Sequence, residues 1–131
     1  MSKLGCRCGH VIVDQTDYLP YKGDIVPDQT FFEFLDKIDQ AINDLLIATK
    51  DNKRAEWIKK HFLEMYPQDL SNIQMLGDIF SKYYFPLIKH IYQCEKCGRL
   101  WVQKDKTEQF IPFKPEDEKW ESVLEKIKQQ E

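Results

Sequence analysis

Four cysteines, gathered into two short clusters far apart in the sequence, constrain this chain more than any other feature. They read Cys6-Arg7-Cys8-Gly9 and Cys94-Glu95-Lys96-Cys97-Gly98, with 85 residues between Cys8 and Cys94. In both clusters a glycine follows the second cysteine. A metal knuckle needs that glycine, because the backbone must turn tightly enough for amide N–H groups to point back at thiolate sulfurs, and glycine takes positive φ without a Cβ clash. Two close cysteine pairs from distant parts of a chain are the usual construction of a tetrahedral four-thiolate site. Disulfides are the rival explanation. They fit poorly because cysteines separated by one residue bridge each other only with strain, and because no apolar signal core precedes Cys6.

The expected ligand set is therefore Cys6, Cys8, Cys94 and Cys97, with Zn²⁺ as the expected metal; an isolated four-thiolate site also suits iron. His10, two residues after Cys8, is an alternative ligand, since the first pair has a one-residue spacer where two to four are usual. Four protein sulfurs leave no open coordination position, so such a metal is expected to hold structure rather than activate water.

Composition sets outer limits. The chain has 131 residues, a formal net charge of −3, and eight Phe, six Tyr and three Trp, enough bulky apolar surface for a core. The length suits one domain, residues 1–131. None of the segments 1–30, 31–66, 67–93 and 94–131 is net basic, which weighs against nucleic-acid binding because phosphate recognition draws on positive fields. The longest apolar run, Ala41–Ala48, is interrupted by Asn43 and Asp44 and is far short of the roughly 20 residues of a membrane helix. A cytoplasmic protein with no membrane partner is expected.

Val11–Val13, Leu87–Tyr92 and Leu100–Val102 read as strands flanking the knuckles, and Gln109–Phe113 as a further strand that Pro112 confines to an edge. Asp14–Pro27 reads as a connecting loop. Three helices follow from apolar spacing. The first opens on a Thr30/Glu33 capping box and carries Phe31, Phe34, Leu35, Ile38, Ala41, Ile42, Leu45 and Leu46. A second spans about Asn52–Met65, and a third is capped at Ser71 and runs to about Tyr84. Pro115–Glu131, with Trp120, Val123, Leu124 and Ile127 in one stripe, reads as a C-terminal helix. The expected fold is α+β: a small antiparallel zinc-ribbon sheet built from both ends (1–14 and 87–114), a three-helix insertion (28–86) and a C-terminal helix (115–131). Core packing accounts for Phe31, Phe34, Phe62 and Phe80.

Catalytic motifs are absent from the sequence: there is no phosphate loop, nucleophile elbow or His-Glu-x-x-His pattern. A non-enzymatic protein is expected. The loop Asp14–Asp24 gathers two tyrosines and three acids around Pro20, and tyrosines on a proline-held loop suit a protein interface; covering the helical insertion is the alternative role for both. Tyr18 and Tyr21, with Asp36, Asp39 and Asp44 of the first helix, are the expected partner-binding residues. Asp44 lies about 140° round from Asp39, so the three acids form a broad face and not a narrow stripe.

The segments Cys6–Ile12, Thr16–Lys22 and Tyr92–Val102 resemble a group of small bacterial zinc-ribbon proteins, some of which are similar to immunity proteins of contact-dependent growth inhibition and related toxin systems. The resemblance covers both ends and little of the helical middle. It implies a cytoplasmic protein that binds and blocks a cognate toxin domain. An acidic chain would suit a basic nuclease as that partner. A zinc-ribbon regulator contacting nucleic acid or the transcription machinery, and a rubredoxin-like iron electron carrier, are the competing readings.

Overall fold

The computed structural model describes residues 3–129, in an α+β fold with two small antiparallel sheets and three helices. These residues form two compact units.

The first unit comprises residues 3–25 and 88–129. Its smaller sheet pairs β1 (Lys3–Gly5) with β2 (Val11–Val13), Leu4 opposite Ile12. Alternation places Ile12 in the core and leaves Val11 exposed. The larger sheet runs in the order β3 (Lys22–Ile25), β4 (Lys89–Gln93), β5 (Leu100–Gln103), β6 (Phe110–Phe113), all neighbours antiparallel. The two ends of the chain thus lie in separate sheets and not in the single one expected. β3 falls inside the expected loop. Lys22-Gly23-Asp24-Ile25 has little intrinsic strand preference, and its pairing with β4 is what orders it. β6 is an edge strand, and Pro112, opposite Trp101, is tolerated there because the missing N–H would face away from β5.

The expected C-terminal helix is not formed: residues 114–129 contain no helix or strand. Val123 and Ile127, two members of its supposed apolar stripe, are 61% and 90% exposed. Side-chain packing and hydrogen bonds to β4 outcompete helix formation here. Trp120 lies against Gly98, Leu124 against Gly23, and the Gln93 amide holds the Glu121 carbonyl and the Val123 N–H.

The second unit, Val26–Leu87, holds α1 (Asp28–Lys50), α2 (Arg54–His61) and α3 (Asn72–Tyr84). Ala41, Leu45, Trp57, Ile58, Met75 and Ile79 make its core. The α3 start is the expected one: Ser71 Oγ accepts from the Gln74 N–H, and the Gln74 side chain returns to the Ser71 N–H at 2.9 Å. α1 departs from expectation. It begins at Asp28 behind Pro27, so Thr30 lies inside the helix, where its hydroxyl donates to the Pro27 carbonyl at 3.1 Å. Proline with ψ 140° cannot continue a helix backwards, and Asp28 complements the positive end of the helix dipole. α2 is also shorter than its apolar spacing suggests. Lys82 of α3 donates to the His61 carbonyl, satisfying the C-terminal turn, and Phe62 turns extended to stack on Tyr66. Among the expected core aromatics Phe34 is buried, whereas Phe31 and Phe80 are 38% and 46% exposed.

Candidate metal centre

Both cysteine clusters close the same way. In the first, the Cys6 N–H donates to the His10 carbonyl (2.8 Å) and the Gly9 N–H to the Cys6 carbonyl (3.0 Å). In the second, the Cys94 N–H donates to the Arg99 carbonyl (2.8 Å) and the Gly98 N–H to the Cys94 carbonyl (2.9 Å). The second is the first with one extra residue, which is how a one-residue spacer and a two-residue spacer build equivalent turns. Gly9 and Gly98 adopt φ of +95° and +79°, the left-handed conformations that the cysteine–glycine order anticipates.

The four sulfurs lie within 4.8 Å of one another, with Cys6–Cys97 and Cys8–Cys94 both at 3.6 Å. None of the four is in a disulfide. A tetrahedron with metal–sulfur bonds of about 2.3 Å has edges of about 3.8 Å, so this cluster is capable of holding a single metal ion. The donor chemistry suits zinc and iron alike. His10 lies outside the group of convergent ligand atoms; its part is the carbonyl that closes the first knuckle.

Cys6 and Cys94 are buried, while Cys8 and Cys97 are half-buried. Burial opposes ionisation of Cys6, but the Cys8 amide, the Trp101 indole and Cys97 outweigh it and bring that thiol to about 6. Burial dominates at Cys94 and pushes it up to about 12. At Cys97 burial is again opposed, here by the amide of Arg99 and by its guanidinium, whose Nη1 lies 3.3 Å from the sulfur, and the thiol falls below its ordinary range. The site is thus a mixed one: the surroundings of Cys6 and Cys97 favour ionisation, and burial at Cys94 opposes it, so a metal binding there must displace the proton of Cys94. Trp101 bears on this directly. Its buried Nε1–H makes no conventional hydrogen bond, yet its dipole favours the charged Cys6 sulfur, as expected of a group arranged around a thiolate cluster. Ile12, Tyr92 and Trp101 complete the buried shell, with Leu4, Tyr21 and Phe110 packed against it.

Beyond the sulfurs, Asp14 ties the two parts of this unit together. It receives the Tyr92 hydroxyl and an ion pair from Lys22 at 2.8 Å, with its side chain only 16% exposed. Burial raises its pKa, but Lys22 and Tyr92 more than compensate, so the carboxyl sits below its ordinary value of 3.8. A carboxyl whose folded pKa is depressed contributes stability above its unfolded pKa and loses it as pH falls through the folded one. Urea midpoints measured from pH 7 to pH 3 are expected to fall more steeply for the wild type than for Asp14→Asn. Tyr92→Phe is expected to cost about 1 kcal/mol at pH 7 and to move the Asp14 carboxyl upward in an NMR titration. An unmoved Asp14 would exclude the bond.

The expected partner-binding residues have different surroundings. Tyr18 is fully exposed, with φ +62°. Tyr21 instead packs against the cysteine cluster, and its hydroxyl donates to the Val13 carbonyl. On α1, Asp36 and Asp39 are exposed, and half-buried Asp44 accepts from Gln40 Nε2 at 2.8 Å. Sequence reasoning missed Gln93, Gly98 as the seat of Trp120, and Arg99 as a sulfur partner. A basic residue beside the second glycine was a usable signal for Arg99; a lone glutamine at a strand end carries none.

Residues 2–117 match the family described as Domain of unknown function (DUF8617), which covers most of the chain, and the chain belongs to that family. No curated protein and no solved structure matches it. Among the described residues no helix is long and apolar enough to cross a membrane.

Proposed function

We propose that this member of the DUF8617 family is a non-enzymatic, zinc-stabilised binding protein of the cytoplasm. Its knuckles form a zinc-ribbon-like centre, and it serves as an immunity protein that neutralises a cognate bacterial toxin by protein–protein contact. The observation that carries this reading is the convergence of all four cysteines on one point, in a geometry that fits a four-sulfur metal and leaves that metal no open position for a substrate or an activated water. Two features support action through an interface. Tyr18 is held fully exposed in a backbone conformation that costs a non-glycine residue about 1 kcal/mol, and Asp36 and Asp39 present an acidic face on α1. The immunity role extends the resemblance of the two chain ends, and a basic nuclease domain is the partner the charge favours.

Metal analysis of protein purified without added metal tests the first part: one equivalent of zinc and a colourless solution are expected, whereas a red solution would mean ferric iron. For the second part, a candidate toxin domain is expected to associate more slowly at raised salt. Reversing both charges in Asp36→Lys/Asp39→Lys is expected to slow association several-fold. Association indifferent to both would remove the electrostatic mechanism. No binding to the toxin, together with tight binding of DNA or RNA, would replace this reading with a nucleic-acid regulator.

A further inference from the structure

Residues 120–124 have no regular structure, yet they are received by a seat with three distinct features. Gly98 is the first: a Cβ there would lie 2.3 Å from Trp120 Cγ and 2.4 Å from Cδ2, so the indole occupies space that any other residue at position 98 would fill. The second is the Gln93 side chain, within a residue only 4% exposed. Its Nε2 donates to the Glu121 carbonyl at 2.9 Å, and its Oε1 accepts from the Val123 N–H at 2.9 Å. This is what the main chain of a parallel strand does, bonding one residue's C=O and the N–H two residues on. Gly23 is the third; a Cβ there would lie 3.6 Å from Leu124 Cδ2.

We propose that this seat is a binding site for an extended peptide segment of a partner protein, with tryptophan at one position and leucine or a similar residue four positions later, and that residues 120–124 occupy it in cis as a displaceable competitor. Selectivity follows from the chemistry. When the segment leaves, the buried Gln93 Oε1 loses the Val123 N–H and Nε2 keeps only its longer 3.4 Å bond to the Gly98 carbonyl, so the seat favours an occupant that presents a carbonyl and an N–H along one edge. The cis segment is suited to release. Trp120 and Leu124 are half-buried, while the residues around them are exposed and form no ladder with the sheet. Segments held by side-chain bonds alone, without a ladder, open more readily than the strands beside them. The tether from Phe113 to Trp120 is short, which puts the cis segment at an effective concentration of about millimolar and keeps weak ligands out. The inference does not depend on the metal's identity or on the immunity role.

The probe is a fluorescein-labelled synthetic peptide of residues 117–129, and the receptor is the full chain carrying Trp120→Ala and Leu124→Ala. The peptide is expected to bind this variant at least ten-fold more tightly than wild type, and a peptide bearing Trp120→Ala is expected not to bind. Equal binding to both proteins, or none to a variant that keeps its metal, would overturn the proposal. Should the double variant lose its metal, hydrogen exchange in the wild type decides. The Val123 amide is expected to exchange at least ten-fold faster than the amides of β4. Exchange of Val123 only in step with β4 would make the segment a permanent part of the core and overturn the proposal.

Discussion

Prolonged chelation is expected to unfold the cysteine-bearing unit while leaving α1, α2 and α3 helical. The sheet of β1 and β2 is a pair of three-residue strands, and a two-stranded hairpin alone is marginal in water. In the proposed zinc-bound form, what holds it is a metal joining Cys6 and Cys8 to Cys94 and Cys97, whose sulfurs converge. A structural zinc supplies an apparent 10–16 kcal/mol, roughly, at neutral pH, and where the site does not exist in the unfolded chain that binding energy is folding energy. With no metal bound, burial favours the neutral thiol at Cys94, while the surroundings of Cys6 and Cys97 favour ionisation, so the cluster lacks the cation that would bind all four sulfurs. The assigned Trp101 indole resonance should collapse to its unfolded position on chelation, and Cys94→Ser should reduce bound metal from one equivalent to near none. The helical far-UV signal should persist, because Ala41, Leu45, Trp57, Ile58, Met75 and Ile79 form a core of their own. An unmoved Trp101 signal and an unchanged melting temperature after complete metal removal would show that the metal does not hold this unit.

Gly98→Ala is expected to destabilise the chain by about 2–3 kcal/mol, through backbone strain together with displacement of the segment that Trp120 anchors. Two costs combine. A backbone φ of +79° is strained for any residue with a Cβ, and that Cβ would sit 2.3 Å from the Trp120 ring. Gly9→Ala is the control. Its φ of +95° carries the same backbone strain, but a Cβ there meets nothing within 4 Å, so about 1–2 kcal/mol is expected. Urea midpoints of the two variants would measure the difference, and Trp120 emission should redden in Gly98→Ala alone. Equal losses in the two variants would show that Trp120 yields freely and that backbone strain is the whole effect.

The contrast between these glycines shows how far residue patterns reach. Both were marked by their place after a cysteine, because a knuckle turn demands positive φ at that point whatever surrounds it. The Ser71/Gln74 cap and the edge position of Pro112 were legible for the same reason: each rests on a backbone N–H, present or missing, within a few residues. β3 and the C-terminal segment were not legible. Lys22–Ile25 is a strand because β4 offers it a ladder, and Trp120–Leu124 is kept out of a helix because Gln93, Gly98 and Gly23 receive it. The apolar spacing of that segment fits a helix just as well, and no local rule could arbitrate.

By itself, then, the sequence determined the pairing of cysteines with glycines, the three helices and the α+β class, all consequences of short-range geometry and apolar period. Tertiary structure alone decided that the strands divide into two sheets, that Tyr21 packs on the cysteine cluster while Tyr18 stands in solvent, and that the last segment forms no helix and sets Trp120 on Gly98 of the second knuckle. Those outcomes turn on which buried hydrogen-bonding groups find partners, and the partners lie far along the chain, 78 residues apart for Tyr92 and Asp14.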